Sequence, residues 1–314
     1  MKRGEPMRAI RHILALWGRL WPLALLPPLV LAGYLALGQA RIEHLVILLA
    51  ATGFAVATPL TRDMLLAAIP GFAILAGYEA VRVLRPLFVT AERVLACEFQ
   101  RLDAALFGFG SGLTPADLFA RHHGLVADLV FGLPYTVFWA MVLLWCALLF
   151  LISRGRLRRY LWVLALTHLA AFVVWMLLPA APPWYVRAHG CVIDLSVAPQ
   201  AAALSRLDAL FGIRYFEAFY SRAPTVFGAF PSLHVAFPAV AMVTGWRWFG
   251  PTGRAVTAAL TLWMVAASVY LDHHWLIDGL ATLALVLALH AVLVRLWPAY
   301  AAPDPGARWR EGPR

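Results

Sequence analysis

Two clusters of histidine and carboxylate residues near the end of the chain have the types and spacing needed for nucleophilic or acid–base chemistry. One is Pro-Ser-Leu-His at 231–234, and the other is Asp-His-His-Trp-Leu-Ile-Asp at 272–278. Between them lie two apolar runs, 235–249 and 255–271, joined by a short turn. Two membrane-crossing helices joined in this way would return the chain to the level at which it started. The two clusters are therefore expected to meet at one membrane face, where polar groups indicate a functional site.

The second cluster has the spacing of a histidine braced by a carboxylate. His274 and Asp278 are four residues apart, so they share one face if this stretch is helical. A carboxylate that accepts the N–H of one imidazole nitrogen fixes the tautomer and makes the other nitrogen a better nucleophile or base. His273 would point about 100° away, so His274 is the expected partner of Asp278.

The first cluster has the features of an anion site at a helix start. His234 follows Pro231 and Ser232, and proline is well tolerated in a first helical turn. The N–H groups of that turn would bind an anion, and Ser232 would add a hydroxyl. With one histidine as nucleophile, the other as acid and an anion-binding helix start, the pattern indicates phosphoryl transfer without a metal. Two histidines and a carboxylate are also zinc ligands, and the residue types alone leave that alternative open.

The composition is that of an integral membrane protein. Of the 314 residues, 62% are hydrophobic and 13% are charged, against about 25% charged in soluble domains. The apolar runs are continuous, which favours helices over an alternating β-barrel pattern. The net charge of +10 comes from 26 basic and 16 acidic residues, with the basic ones between spans and at the termini. This distribution follows the positive-inside rule, and no nucleic-acid partner is expected.

The chain is therefore predicted to be all-α, a polytopic membrane helical bundle of about eight transmembrane helices. The predicted organisation is a basic segment with two spans (1–61), six further spans (62–297) and a disordered cytoplasmic tail (298–314). The predicted spans are 20–37, 45–60, 64–80, 125–152, 160–178, 231–249, 255–271 and 275–296. The segment 89–123 is less apolar and is expected to be interfacial or re-entrant.

Arginine sets the predicted orientation. Segment 153–159 carries four arginines and is expected in the cytoplasm. Counting spans from there places loop 179–225 and both histidine clusters on the non-cytoplasmic face of an inner or plasma membrane. Cys97 and Cys191 fall on the same side, where an oxidising compartment would allow them to pair.

Four local patterns resemble the type 2 phosphatidic acid phosphatase superfamily, and within it the inositol phosphorylceramide synthase (aureobasidin-resistance) branch. The resemblance covers approximately residues 128–279. The matching patterns are Gly-Leu-Pro-Tyr at 132–135, Ala-Pro-Pro-Trp-Tyr at 181–185, Phe-Gly-Ala-Phe-Pro-Ser-Leu-His at 227–234, and Ser-Val-Tyr-Leu-Asp-His-His at 268–274 with Asp278.

The resemblance implies a six-helix catalytic core (62–297), to which the first two spans are extra, and a metal-independent lipid phosphotransferase with no cofactor. It implies that His274 attacks phosphorus to form a phosphohistidine, that Asp278 orients it, and that His234 protonates the leaving oxygen. In the synthase branch a second lipid's hydroxyl takes the phosphoryl group, so the expected partners are a phospholipid donor, a lipid acceptor and the bilayer. A lipid phosphate phosphatase, acting on phosphatidate or polyprenyl phosphate with water as acceptor, remains an alternative, as does a non-enzymatic lipid transporter.

The sequence departs from the phosphatases at their phosphate-binding positions. Val269 stands where their second motif has an arginine, and no Lys-x6-Arg-Pro motif is present. Other residues at the predicted outer level are therefore expected to bind phosphate or substrate. These candidates are Ser232, Arg82, Arg85, Arg222, Trp184, Tyr185 and His273, with Trp184 and Tyr185 walling a headgroup pocket.

Overall fold

The computed structural model describes residues 5–110, 112–297 and 300, and most of these residues are helical. Within these residues, β-structure is limited to isolated bridges. The predicted tail, 298–314, lies outside the described residues except for Tyr300. The α-helices are α1 Glu5–Trp17, α2 Leu26–Ala36, α3 Ile42–Ala57, α4 Pro59–Ala67, α5 Ile69–Phe88, α6 Cys97–Phe107, α7 Pro115–Arg121, α8 Leu125–Ile152, α9 Arg154–Leu177, α10 Pro183–His189, α11 Ser205–Phe211, α12 Tyr215–Tyr220, α13 Leu233–Gly245, α14 Pro251–Tyr270 and α15 Leu276–Leu296.

The all-α membrane bundle predicted from composition is confirmed. Among the described residues, five helical segments are long and apolar enough to cross a bilayer: Ile10–Ala36, Leu125–Ile152, Arg154–Leu177, Pro251–Tyr270 and Leu276–Leu296. Helices α3 and α13 are apolar but shorter. At about 1.5 Å per residue, the 13-residue α13 extends about 20 Å, less than the ~30 Å hydrocarbon core. The total of eight spans stays a prediction.

The chain divides into two compact units, Met1–Ile69 and Pro70–Arg314. In the first, the buried Trp17 indole donates to the carbonyl of Ala55 at 2.7 Å and ties the end of α1 to the end of α3. In the second, α13 packs against α9, α14 and α15, and α8 packs against α14. The boundary predicted between residues 61 and 62 falls inside α4 and stays a prediction.

The arginine-rich segment belongs to a helix rather than to a loop between spans. The hydroxyl of Ser153 accepts the N–H of Arg156 at 3.1 Å and caps α9, which therefore begins at Arg154 and not near residue 160. The Arg156 guanidinium is buried and lies over the ring of Trp248, 4.4 Å from its centre. A side-chain cap and a cation–π contact let these charged residues continue the helix.

Three loop segments pair side by side beneath the histidine clusters. The backbone N–H of Leu95 donates to Pro179 at 2.8 Å, and that of Ala181 donates back to Leu95 at 2.9 Å. On the other edge, the N–H of Ala180 donates to Phe227 at 3.0 Å. Cys97, two residues after Leu95, forms a disulfide with Cys191, the pairing that the sequence allowed. These bonds fix the segment that leads into α13.

Candidate active site

The structure brings the two histidine clusters together. His234 lies in the first turn of α13, and His274 lies in the turn between α14 and α15. The centres of their rings are 5.7 Å apart, and the rings meet edge to face at 62°. Helices α13 and α15 pack against each other, and this brings His234 and His274, 40 positions apart in sequence, into contact.

His274 is held from its Nδ1 side by two acceptors. Nδ1 lies 2.8 Å from the carbonyl oxygen of Ala229 and 3.4 Å from Oδ2 of Asp278. Because a carbonyl oxygen can only accept, Nδ1 carries the proton and the lone pair of the ring is on Nε2. The predicted brace by Asp278 is thus shared with a backbone group that is closer to the ring.

Asp278 also caps the helix on which it lies. Its Oδ2 accepts the backbone N–H of Trp275 at 2.9 Å, which starts α15 at Leu276 and leaves His274 just ahead of the helix. The Asp278 side chain is fully buried, and its backbone carbonyl accepts the N–H of Ser232 at 3.3 Å. One residue therefore connects His274, the start of α15 and the start of α13.

A second carboxylate, which the sequence did not reveal, lies against the same helix start. The buried Asp103 of α6 accepts the N–H of Ile277 through Oδ1 at 2.9 Å. Burial raises the pKa of Asp103 above its ordinary value, and the hydrogen bond from Ile277 opposes that rise only in part. A negative charge at a helix N-terminus is stabilised by the orphan N–H groups and the helix dipole. Asp103 thereby fixes the first turn of α15.

His234 has a different environment, made of aromatic rings. Its ring stacks on that of Tyr135 with 4.2 Å between centres, and Phe138 meets it edge-on at 5.5 Å. Its Nε2 is 3.2 Å from the hydroxyl of Tyr220. Its Nδ1 is buried and has no hydrogen-bond partner among the described residues.

His273 is buried between two of the same rings. It stacks on Tyr220 at 4.4 Å and lies 5.7 Å from Tyr135, nearly parallel to both. Burial lowers the pKa of His273 to about 3, and the neighbouring His274 acts in the same direction. His273 is therefore neutral at pH 7, so as a predicted phosphate ligand it would offer a hydrogen bond but no positive charge.

An ion pair stabilises the turn that carries His273 and His274. Asp272 has a positive φ of 68°, a conformation that aspartate tolerates better than most residues. Arg187 of α10 binds its carboxylate through two nitrogens, at 2.6 and 3.3 Å, and also binds Asp117 at 2.8 Å. Burial raises the pKa of Asp272 even against this guanidinium. Arg187 is thus the main electrostatic support of the turn.

The Ala-Pro-Pro-Trp-Tyr element supports the same turn from below. The carbonyl of Ala181 accepts the Trp275 indole N–H at 2.9 Å, and the N–H of Trp184 donates to the Asp272 carbonyl at 3.1 Å. Trp184 and Tyr185 belong to the buried apolar cluster, at 8% and 0% exposure. Their observed contacts hold the backbone around His274, and the headgroup contact stays a prediction.

Of the other predicted substrate ligands, Ser232 is in the site itself. It is fully buried just before α13, and its hydroxyl oxygen has no hydrogen-bond partner among the described residues. The Arg82 guanidinium donates to the backbone carbonyl of Arg222 at 2.7 Å, so two predicted arginines lie together. Arg222 follows Tyr220 by two residues, which connects the pair to His234. Arg85 is one turn along α5 from Arg82, and no contact described for it reaches the histidines.

Several buried polar atoms of the two histidine clusters are unpaired. Across the described part of the chain, the buried side-chain atoms without a hydrogen-bond partner include Ser232 Oγ, His234 Nδ1, His273 Nε2 and Asp278 Oδ1. Buried polar atoms are nearly always paired in folded proteins, so unpaired ones indicate that something else binds there. A phosphate and the hydroxyls around it have the polar groups needed to satisfy such atoms. Within the described residues, no group of three or more histidine, cysteine or acidic side chains has metal-site geometry.

Comparison with known proteins gives matches to the PAP2 superfamily over residues 98–292. The chain is 34% identical to phosphoinositol dihydroceramide synthase of Bacteroides thetaiotaomicron over 59% of this chain and 63% of the relative. It is 28% identical to inositol phosphorylceramide synthase of Candida albicans, over 74% of this chain and 48% of the relative. It is also 28% identical to the inositol phosphorylceramide synthase catalytic subunit of Schizosaccharomyces pombe, over 60% and 45%. The chain thus aligns with less than two thirds of each relative's length. No solved structure matches significantly.

Proposed function

Because the chain belongs to the PAP2 superfamily, we propose that it is a lipid phosphotransferase that moves a phosphorylated headgroup, such as phosphoinositol, from a phospholipid to a ceramide-like hydroxyl. The observation that carries the proposal is the facing pair His234 and His274, 5.7 Å apart, with the Nδ1 proton of His274 held by Ala229 and Asp278. The matches to phosphoinositol dihydroceramide synthase and to inositol phosphorylceramide synthases support the choice of headgroup and acceptor.

The reaction divides into two half-reactions at one phosphorus atom. In the first, Nε2 of His274 attacks phosphorus and the diacylglycerol oxygen leaves with a proton supplied from the His234 side. Asp278 stabilises the positive charge that develops on the His274 ring. In the second, the acceptor hydroxyl returns a proton to the His234 side, attacks phosphorus and releases His274.

Binding of the phosphate is assigned to groups that surround the start of α13. The N–H groups of that helix start and the buried Ser232 hydroxyl provide neutral donors, as at other phosphate sites. Arg82 and Arg222 provide the positive charge in place of the arginines found in the phosphatases. No metal ion or other cofactor is required in this scheme.

The site is assigned to the non-cytoplasmic face. The Cys97–Cys191 disulfide lies on the side of the molecule that carries α6 and the histidine turn, and disulfides persist in oxidising compartments. The arginines of the first turns of α9 lie at the other end of the bundle, as the positive-inside rule requires of a cytoplasmic end.

Product analysis tests the proposal directly. Purified protein is incubated with phosphatidylinositol labelled in the inositol phosphate, with and without ceramide. We expect labelled inositol phosphorylceramide only when ceramide is present, and a phosphohistidine in wild-type protein that is absent from His274→Asn. Release of inositol phosphate or free phosphate regardless of ceramide would establish the phosphatase alternative. Activity that survives in His274→Asn would contradict both enzymes and favour a transporter. Loss of activity on chelation, restored by zinc, would favour the metal alternative.

A further inference from the structure

The hydroxyl of Tyr220 lies 3.2 Å from Nε2 of His234, and this contact sets the route that a proton can take. The other nitrogen, Nδ1, is buried and has no hydrogen-bond partner among the described residues. Among the described residues, Nε2 is therefore the nitrogen of His234 that has a hydroxyl with which it can exchange a proton. A ring nitrogen makes a single in-plane hydrogen bond, so a lipid oxygen reaches Nε2 directly only if Tyr220 moves away.

The Tyr220 ring is held in place. It stacks on His273 with 4.4 Å between centres and an angle of 19°, and it packs edge-on against Phe219 at 5.3 Å. Tyr220 ends α12, whose start is capped by the carboxylate of Asp208 through the N–H groups of Phe216 and Glu217. Displacing the hydroxyl would break the stack on His273 and disturb this short capped helix.

A phenol hydroxyl in this position can pass a proton from one neighbouring group to another. It donates one proton and accepts others at the same oxygen, unlike a ring nitrogen. Burial raises the pKa of Tyr220 well above its ordinary value, and the nearby Tyr78 and Tyr215 hydroxyls act in the same direction. The oxygen therefore keeps its proton at rest and is ready to pass it on as another arrives.

We propose that Tyr220 is a catalytic residue, whose hydroxyl relays the proton between His234 and the lipid oxygen; this rests on the function proposed above. In the first half-reaction the bond from His274 Nε2 to phosphorus forms and the bond from phosphorus to the diacylglycerol oxygen breaks. The leaving oxygen takes the Tyr220 proton while the Nε2 proton of the His234 imidazolium passes to Tyr220. In the second half-reaction the acceptor hydroxyl bonds to phosphorus, the bond to His274 breaks, and the proton returns through Tyr220 to His234.

The test compares two donors that differ only in the leaving group. Phosphatidylinositol needs a proton on its leaving oxygen, whereas 4-nitrophenyl phosphoinositol releases a stable anion without one. The variant Tyr220→Phe keeps the ring stack on His273 and removes only the hydroxyl. Tyr215→Phe is the matched control, because Tyr215 is an exposed residue of the same helix.

We expect Tyr220→Phe to lose about 10²-fold in formation of the phosphohistidine from phosphatidylinositol, at the lower end of the range for general acid catalysis. With 4-nitrophenyl phosphoinositol it should release nitrophenolate in a burst as fast as wild type does, which also proves that the variant is folded. Tyr215→Phe should match wild type with both donors.

Two outcomes overturn the relay. An equal loss with both donors would make Tyr220 a structural support, and no loss with either would make it a bystander. In both cases, a phosphohistidine at His274 would still support the proposed function. If wild-type protein forms no phosphohistidine from either donor, the proposed function fails and the relay fails with it.

Discussion

His274 and His234 are neighbours in space but are held in opposite ways. His274 is fixed on one edge, where its Nδ1–H donates to the Ala229 carbonyl and faces the Asp278 carboxylate, and the turn around it is held by further backbone and ion-pair contacts. The face of the His234 ring is stacked and, among the described residues, its side chain makes one hydrogen bond, to the Tyr220 hydroxyl. The difference fits the two proposed roles, because a nucleophile needs one fixed direction of attack, whereas a proton donor must serve both a leaving and an incoming oxygen.

The largest expected effect concerns the shared brace of His274. Asp278→Asn removes the negative charge that stabilises the ring as phosphorus is attacked, but the Ala229 carbonyl still holds the Nδ1 proton. We expect transfer to fall by about 10²–10³-fold, within the range for acid–base groups. Rapid-quench measurement of the phosphohistidine gives the rate of the first half-reaction directly.

The control for Asp278→Asn is Asp194→Asn, because Asp194 is a carboxylate of the loop between α10 and α11 whose Oδ1 accepts the N–H of Ser196. That variant should leave turnover unchanged. If Asp278→Asn were as inactive as His274→Asn, the Ala229 carbonyl would contribute nothing and the brace would be Asp278 alone.

An intermediate effect is expected at Asp103, which acts on His274 only through the start of α15. Asp103→Asn retains an oxygen that accepts the Ile277 N–H, while Asp103→Ala leaves that buried N–H unpaired at a cost of about 1–3 kcal/mol. We therefore expect kcat to fall several-fold more in Asp103→Ala than in Asp103→Asn, with little change in KM. Steady-state kinetics and thermal unfolding of both variants check this.

The two Asp103 variants also separate geometry from charge. If both lose the same activity, the negative charge of Asp103 matters and its role as an acceptor does not. Glu98→Gln is a suitable control on the same helix, since Glu98 is an exposed-side residue that pairs with Arg101. A loss of activity there as large as in Asp103→Ala would mean that any change in α6 disturbs the site.

Some features of the fold and the site could be predicted from the sequence, and others could not. The bounds predicted for α8, 125–152, agree with the helix, because a continuous apolar run between Gly124 and Ser153 leaves little choice. The meeting of His234 and His274 could be predicted because only an apolar hairpin separates them. The bracing carbonyl of Ala229 could not, since a backbone acceptor has no residue-type signature.

The remaining contacts could not be predicted, because they join residues that are far apart in sequence or carry no motif. Asp103 and Ile277 are 174 residues apart, and a lone aspartate in a mixed helix carries no sign of its partner. Tyr220 ends a short helix in a segment without a motif, although it contacts both His234 and His273. Trp184 was predicted at the pocket wall because its loop falls on the same predicted face as the histidines. That its backbone N–H also donates to the Asp272 carbonyl could not be predicted, since a backbone donor has no residue-type signature.

The smallest effect on turnover is expected for the disulfide, which ties the start of α6 to the segment after α10 without touching His274. The variant Cys97→Ala/Cys191→Ala removes a link across 94 positions, which typically lowers the free energy of unfolding by about 2–4 kcal/mol. We expect near-normal turnover at low temperature and a clearly lower unfolding temperature in detergent. Cys146→Ala, at the free cysteine of α8, is the matched control and should change neither.

The disulfide variant also tests why the two histidines are held differently. Since α6 carries both Cys97 and Asp103, loosening its start should first relax the α15 end and His274, and leave the aromatic stack on His234 in place. On warming, the variant should therefore lose phosphohistidine formation before its helical circular dichroism signal falls. Loss of both at one temperature would show that the braced and the stacked histidine unfold as one unit, and that the contrast between them is confined to the native state.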